Sequence, residues 1–499
     1  MAEGPLILGI DQSTQGTKAL LFDAKGRLVA KASLPHRQIV DSRGYVEHDL
    51  KEIRGNVCKA VSQVVGQDPS YEGRIACAGL SVQRETVAAW RRSDLEPVHN
   101  AIVWQCGRAH EIVRRGEVAS QKDLVRSRTG LELSEYFSGP KLCWMAENVP
   151  AFNEEAQKGN LRVGNIDAYL LSWLCGDEAF ATEPSDASRT ELMDLKSQGW
   201  DADLCALFKV PEAALPPIRD TDSLFGMTDF RGALSRRIPL HACVGDSQGA
   251  LFGHGCLASG GMKATYGTGS SVMMNAGFEV PKVRHGIVAS AGWRRQGGKA
   301  VFVLEGNINY SAAIITYLKD SLGIIKSPSE TEALARAANP ADRCYWVPAF
   351  SGLGAPWFDG GARGMITGMS RLTGRAEVVR AALDSIAYQV SDLVSLELEA
   401  SGVSNASLHA DGGATANGYL MQKQSDLLGI PVTVPPDAEL SGKGAAMLAG
   451  IAQGTCPEEA LQEDPATCRS YKPAIGEDER ARLTEGWHKA VKAAIALGS

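Results

Sequence analysis

The chain has 499 residues, 44% hydrophobic and 22% charged, so at roughly 100–200 residues per domain it should hold two or three domains with an ample core. Disordered, collagen-like and disulfide-scaffold chains are thereby excluded. Its 51 Lys and Arg against 58 Asp and Glu give a formal net charge of −7 with no long basic run, which argues against a nucleic-acid partner.

No stretch approaches the roughly 18 consecutive apolar residues of a membrane span, and Glu3 and Pro5 stand where a basic leader would be, so an untargeted cytoplasmic protein is expected. The eleven cysteines are scattered without a Cys-x-x-Cys pair, a usage that suits a reducing compartment and offers no zinc box.

In chain order, Leu6–Asp11 is an apolar run ending in an acid, Ser13, Thr14, Thr17 and Lys18 form a polar turn, and Ala19–Asp23 is a second run. With a third strand from Leu28, the opening predicts an antiparallel meander, too short to hold the helix of a dinucleotide-binding unit. Residues 48–66 follow helical spacing through Ile53, Val57, Val61, Val64 and Val65. Ile75–Ser81 reads as a buried strand that delivers Gln83, Arg84, Glu85 and Thr86 at its carboxyl end, where open sheets carry their sites.

After a turn-rich segment from Leu215 to Pro239, Ala242–Gly245 followed by Asp246 and Ser247 echoes the opening strand and its acid. Two related domains facing one cleft are expected, 1–245 and 246–499, although a single echo of this kind also arises by chance. Lys263–Ser271 is a strand, a glycine turn and a strand, and glycines there let backbone N–H groups approach an anion. Ser407–Asp411 ends in Gly412-Gly413, and a helix follows from Asn417, its N-terminus placed for phosphate or ribose oxygens. Ser441-Gly442-Lys443-Gly444 opens a small-residue helix suited to close packing.

Phosphoryl transfer needs donors for phosphate, a carboxylate for hydrated Mg²⁺ and a carboxylate base beside the acceptor hydroxyl. Asp11 and Lys18 answer the first needs and Asp246 the last. Gly442-Lys443 lacks Walker spacing, and neither Gly267-Thr268-Gly269 nor Gly352-Leu353-Gly354 continues as Gly-x-Gly-x-x-Gly, so the pattern points to an actin-like ATPase architecture. Taken singly, Asp11 reads as a turn cap, Asp246 as a helix N-cap, Arg84-Glu85 as a surface ion pair and Trp104 and Tyr136 as core aromatics. His254 reads as a packed helix histidine, and Lys443 equally as a phosphate contact or a solvated lysine.

The segments Gly9-Ile10-Asp11-Gln12, Gly79–Thr86, Asn100–Cys106, Tyr136–Leu142, Gly164–Asp167, Ser185–Thr190, Gly245-Asp246, Thr265–Gly269, Pro348–Leu353 and Asp411–Ala414, in that order, resemble the FGGY carbohydrate kinases, and in particular their glycerol kinases. The resemblance implies an α/β fold of two ribonuclease-H-like (actin-like ATPase) domains closing on ATP and a polyol, with Mg²⁺ as cofactor. It implies Asp246 as general base and Arg84, Glu85, Trp104, Tyr136 and Asp246 around the acceptor. It further implies Asp11 at Mg²⁺, Thr14 and Lys18 at phosphate, Thr268, Gly413 and Asn417 at the nucleotide, and a homodimer or homotetramer.

Ser247 stands where glycerol kinases carry Gln and Ser271 where they carry Phe. Both changes remove volume and add a hydroxyl, so a polyol or ketose of four or five carbons is expected, with glycerol itself as the alternative. An actin-like ATPase without a sugar substrate is the alternative of a different class, which Gln83-Arg84-Glu85 and Trp104 disfavour.

Overall fold

The computed structural model of the chain describes residues 4–283 and 285–498. Strands Leu6–Gln12 (β1), Gly16–Asp23 (β2) and Leu28–Pro35 (β3) form the expected meander. Helix Leu50–Val65 (α1) follows, capped by Asp49, whose carboxylate accepts the Lys51 N–H, and it buries Ile53, Val57, Val61 and Val64 against β2 and β3. Strands Ile75–Val82 (β4), Gly226–Thr228 (β5) and Ile238–Gly245 (β6) complete a six-stranded sheet of order β5-β6-β4-β1-β2-β3, in which β1, β4 and β6 are parallel. A smaller five-stranded sheet, including Val87–Arg91, Ala101–Ile102 and Leu161–Asn165, lies in the same half.

Helix Asp246–Gly253 (α2) leads into a second sheet built from Gly261–Tyr266 (β7), Ser270–Gly277 (β8), Val288–Arg294 (β9) and Ala300–Ile308 (β10). The long helix Arg375–Ser401 (α3) intervenes before Ser407–Asp411 (β11), helix Gly418–Leu428 (α4), Val432–Val434 (β12), helix Leu440–Ala452 (α5) and Arg469–Tyr471 (β13). The sheet order is β9-β10-β8-β7-β11-β12-β13.

The two sheets share one plan. In each, the opening strand pairs antiparallel with its successor on one side and leads on the other into two parallel strands and an antiparallel edge strand. This duplication is the ribonuclease-H-like pair expected, but the echo at Ala242–Ala250 is not its mark. That segment is the end of β6, the last parallel strand of the first sheet, and the start of α2, and the strand equivalent to β1 is β7. Asp11 lies between Lys18 and Ser81 in register, and its counterpart Thr265 between Ser271 and Asp411. A strand ending in an acid is a local pattern, whereas place in a sheet is decided by distant hydrogen-bonding partners.

Helices α2 and α5 lie between the sheets, in a core that gathers Ile7, Phe22 and Val244 from the first, Met273 and Val303 from the second, and Phe252 and Met447 from the helices. Small residues make this contact possible: a Cβ on Gly79 would stand 2.0 Å from the Ala445 carbonyl oxygen, and one on Gly444 1.8 Å from that of Gly249. Lys443 is buried and ion-paired with Glu463 at 2.6 Å and Asp437 at 3.2 Å, so its ammonium serves helix packing.

Candidate active site

Three carboxyl strand ends, β1, β4 and β6, open on one side of the first sheet and present Asp11, Arg84 with Glu85, and Asp246. Asp11 is 6% exposed and accepts from Ser81 Oγ at 3.2 Å. Burial pushes its carboxyl up to about 6; Lys18 and Ser81 oppose the rise, and Asp246 and Glu439 add to it. Lys18 Nζ stands 3.7 Å from Asp11 Oδ2 and 2.5 Å from Glu439 Oε2, at the start of α5. Among the described residues no cluster of three or more His, Cys, Asp or Glu could hold a metal ion directly; a lone buried carboxylate with a single shared cation beside it fits a divalent ion held through water.

Arg84 is the hub of a buried array. Its Nη1 and Nη2 donate to Glu305 Oε2 and Oε1 at 2.9 and 2.8 Å, a bidentate pair, and Nη2 also donates to Ser247 Oγ at 3.1 Å. Its Nε lies 3.3 Å from Asp246 Oδ1. Glu305 also pairs with Arg189 Nη1 at 3.1 Å, and Arg189 Nε donates to Glu85. The two guanidiniums hold the Glu305 carboxyl far below the usual range despite its burial. Glu85 takes a left-handed backbone conformation, φ 57°, while almost wholly buried, the kind of conformation that recurs at functional sites.

Asp246 is the first residue of α2, and its Oδ1 accepts the Ser247 N–H at 2.7 Å. The preceding Gly245 N–H donates to Ser185 Oγ at 2.8 Å, which ties this turn to the buried segment Glu183–Asp186. The N-cap of α2 is Gly245, so the helix-cap reading of Asp246 does not hold: Asp246 is the first helical residue, and it lines a cavity.

Trp104 and Tyr136 form an aromatic wall with ring centroids 5.5 Å apart. Trp104 Nε1 donates to Thr14 Oγ1 at 2.9 Å, so the Thr14 hydroxyl braces the indole. Lys141, fully buried, donates to the carbonyls of Tyr136 and Phe137, and burial draws its amine down to about 7.

On the side of the second sheet, a cavity of about 670 Å³ is lined by Asp246, Ser247, Ser271, Asp411, Gly413 and Pro435. Gly413 is exposed, and no atom lies within 4 Å of where its Cβ would be. Thr268 stands exposed on the turn between β7 and β8. Asn417 caps α4, accepting the Leu420 N–H at 3.0 Å and donating to Thr331 Oγ1 at 3.0 Å. His254 Nε2 bonds Asp411 Oδ2 at 2.9 Å, so this packed histidine orients an acid of the cavity wall.

Comparison with known proteins gives the family. Residues 6–253 match the model of the FGGY family of carbohydrate kinases, N-terminal domain, and residues 262–453 match that of its C-terminal domain. The chain belongs to the FGGY family of carbohydrate kinases. It is an α/β protein of the actin-like ATPase fold and a phosphotransferase acting on an alcohol group. This FGGY kinase is 40% identical over 489 residues to the glycerol kinase of Symbiobacterium thermophilum, covering 98% of each chain. It is 39% identical over 488 residues to glycerol kinase 1 of Thermotoga maritima, covering 97% of this chain and 99% of the other. The crystal structure of Plasmodium falciparum glycerol kinase with ADP superposes with a TM-score of 0.93 at 31% identity, covering 99% of this chain and 98% of that one. Among the described residues no helix is long and apolar enough to cross a membrane.

Sequence reasoning gave no role to Glu305, Arg189, Glu439 or Lys141, which hold the site residues in place. One signal was present: Glu305 is a lone acid directly after the apolar run Val301–Leu304, and a carboxylate in a buried strand needs a cation. Arg84 and Glu85 are not paired with each other, as a surface reading would have it; each is claimed by a partner from far along the chain.

Proposed function

We propose that this FGGY kinase transfers the γ-phosphate of ATP to a terminal hydroxyl of glycerol. The observation that carries the reading is Asp246 in the cleft, 32% exposed, 3.3 Å from a guanidinium that is itself anchored on Glu305. In that reading the Asp246 carboxylate accepts the proton of the acceptor hydroxyl as its oxygen bonds to the γ-phosphorus, and the bond to the bridging oxygen breaks to release ADP. Arg84 and Glu85 offer a donor and an acceptor to the remaining hydroxyls, and Trp104 and Tyr136 cover the C–H face. Residues 1–245 supply the acceptor pocket and phosphate loop, and residues 246–499 the base and the nucleotide contacts Thr268, Gly413 and Asn417.

Mg²⁺ carried on the phosphates supplies charge neutralisation at the transferring group. Asp11 is the carboxylate that would hold it through water, with Lys18 beside the phosphates. Thr14, whose hydroxyl accepts from Trp104, keeps its own proton to donate to a phosphate oxygen. Eleven free cysteines support a reducing, cytoplasmic setting.

Relatives named glycerol kinase at 38–40% identity over nearly the whole chain favour glycerol over a longer acceptor. One observation supports a second reading, a polyol or ketose of four or five carbons: Ser271 Oγ is buried in the cavity wall without a hydrogen-bond partner among the described residues. Ser247 supports it less, since its hydroxyl already accepts from Arg84. The test is kcat/KM in an ATP-to-ADP coupled assay across glycerol, tetritols, pentitols and ketopentoses. Glycerol ahead by tenfold or more upholds the first reading, and a longer acceptor ahead by that margin replaces it with the second.

A further inference from the structure

We propose that Glu305 is a positioning residue for phosphoryl transfer: from the second sheet it sets the Arg84 guanidinium so that one edge faces Asp246. The inference rests on the reading of Arg84 and Asp246 as site residues. Its basis is an alternating chain of charge, Asp246–Arg84–Glu305–Arg189–Glu85, closed by contacts of 3.3 Å or less. Three carboxylates and two guanidiniums leave one negative charge in excess. Four members have side chains no more than 6% exposed, whereas Asp246 is 32% exposed, so the cleft meets the array at its base.

A guanidinium rotates freely about its long stem unless both terminal nitrogens are fixed. Glu305 fixes both, and the planar fork then dictates where Nε points. Arg84 Nε makes no hydrogen bond to any described residue although it is buried, and it lies 3.3 Å from Asp246 Oδ1. It is the donor left for the Asp246 carboxylate or an acceptor oxygen beside it. Arg84 and Arg189 come from the first half of the chain and Glu305 from β10, so the acceptor side of the site is complete only when the two halves are docked.

With Glu305→Gln, Arg84 loses its bidentate partner and turns fully onto Asp246, which ties up the base. The expected result in steady-state assays is a fall in kcat of roughly 30-fold or more, with KM for ATP within about threefold of wild type. Glu305→Asp keeps the charge and should lie between, with kcat down about fivefold. Because Glu305 acts through Arg84, the double variant Glu305→Gln/Arg84→Lys should be no more than about threefold slower than Arg84→Lys alone.

Wild-type kcat in folded Glu305→Gln, multiplicative losses in the double variant, or a KM for ATP that rises as much as kcat falls would each overturn the proposal while Arg84→Lys and Asp246→Asn remain impaired. If Glu305→Gln is not recovered folded, Glu305→Asp decides: a slowed kcat at unchanged KM for ATP upholds the role, and wild-type kcat removes it. Wild-type kcat/KM in both Arg84→Lys and Asp246→Asn would instead overturn the site reading itself, and this proposal with it.

Discussion

Lys18 and Glu439, 421 positions apart, meet with Nζ 2.5 Å from Oε2. The ion pair joins β2 of the first sheet to the start of α5, and it leaves Lys18 shared between Glu439 and Asp11. A phosphate arriving beside Lys18 therefore competes with two carboxylates already in place.

Lys18→Met should lower kcat/KM for ATP roughly 100-fold, chiefly through KM, and leave KM for the acceptor within about threefold. Steady-state assays with each substrate varied check this. An unchanged KM for ATP would remove Lys18 from the phosphate site.

Asp246→Asn keeps a side-chain oxygen for the Ser247 N–H but cannot take a proton, so kcat should fall by about three orders of magnitude or more with ATP binding nearly unchanged. Titration of the variant with nucleotide alongside single-turnover kinetics separates the two effects. Parallel loss of ATP affinity would contradict the role of base.

Asp11 makes a prediction of opposite sign for stability and activity. Its carboxyl is raised from 3.8 to about 6 in the folded protein, so the folded state holds the proton more tightly and stability from this group is full below 3.8 and lost as pH rises to about 6. At pH 7.5 the charged form costs roughly 3 kcal/mol, which Asp11→Asn removes. Without Mg²⁺ or nucleotide, the variant should melt several degrees higher than wild type at pH 7.5, and the difference should vanish below about pH 4. Its kinase activity should be almost abolished. A lower melting temperature at pH 7.5 would show that Asp11 is satisfied where it sits.

Packing of α5 gives a prediction independent of catalysis. Gly79→Ala drives a methyl to 2.0 Å from the Ala445 carbonyl oxygen and should cost roughly 3 kcal/mol or more, read as lost soluble protein or a large drop in Tm. Gly55→Ala, in α1 with nothing within 4 Å of the new methyl, should be neutral or stabilise by up to about 1 kcal/mol. Equal effects at the two positions would contradict the close contact of α5 with the first sheet.

Local features were legible from the chain alone. The meander, α1, the strand leading to Gln83-Arg84-Glu85-Thr86 and the helix that follows Asn417 rest on hydrophobic period and turn chemistry acting over a few residues, and each is present. The echo at Asp246 misled because the same strand-and-acid pattern ends β6 and β1 alike, while the repeat itself is carried by β7, whose counterpart of Asp11 is Thr265. Thr14 was assigned to phosphate by the family resemblance alone; that Trp104, 90 positions on, donates to its hydroxyl is visible only in the structure.

By itself, then, the sequence determined the two-sheet α/β architecture, the kinase motifs and the carboxylates at the strand ends, because each depends on near neighbours or on an ordered set of motifs. Only the tertiary structure decided how charge is distributed among them. Whether Arg84 answers to Glu85, one residue away, or to Glu305, 221 positions on, depends on distance through space. Coulomb attraction and desolvation act on that distance, and folding alone sets it.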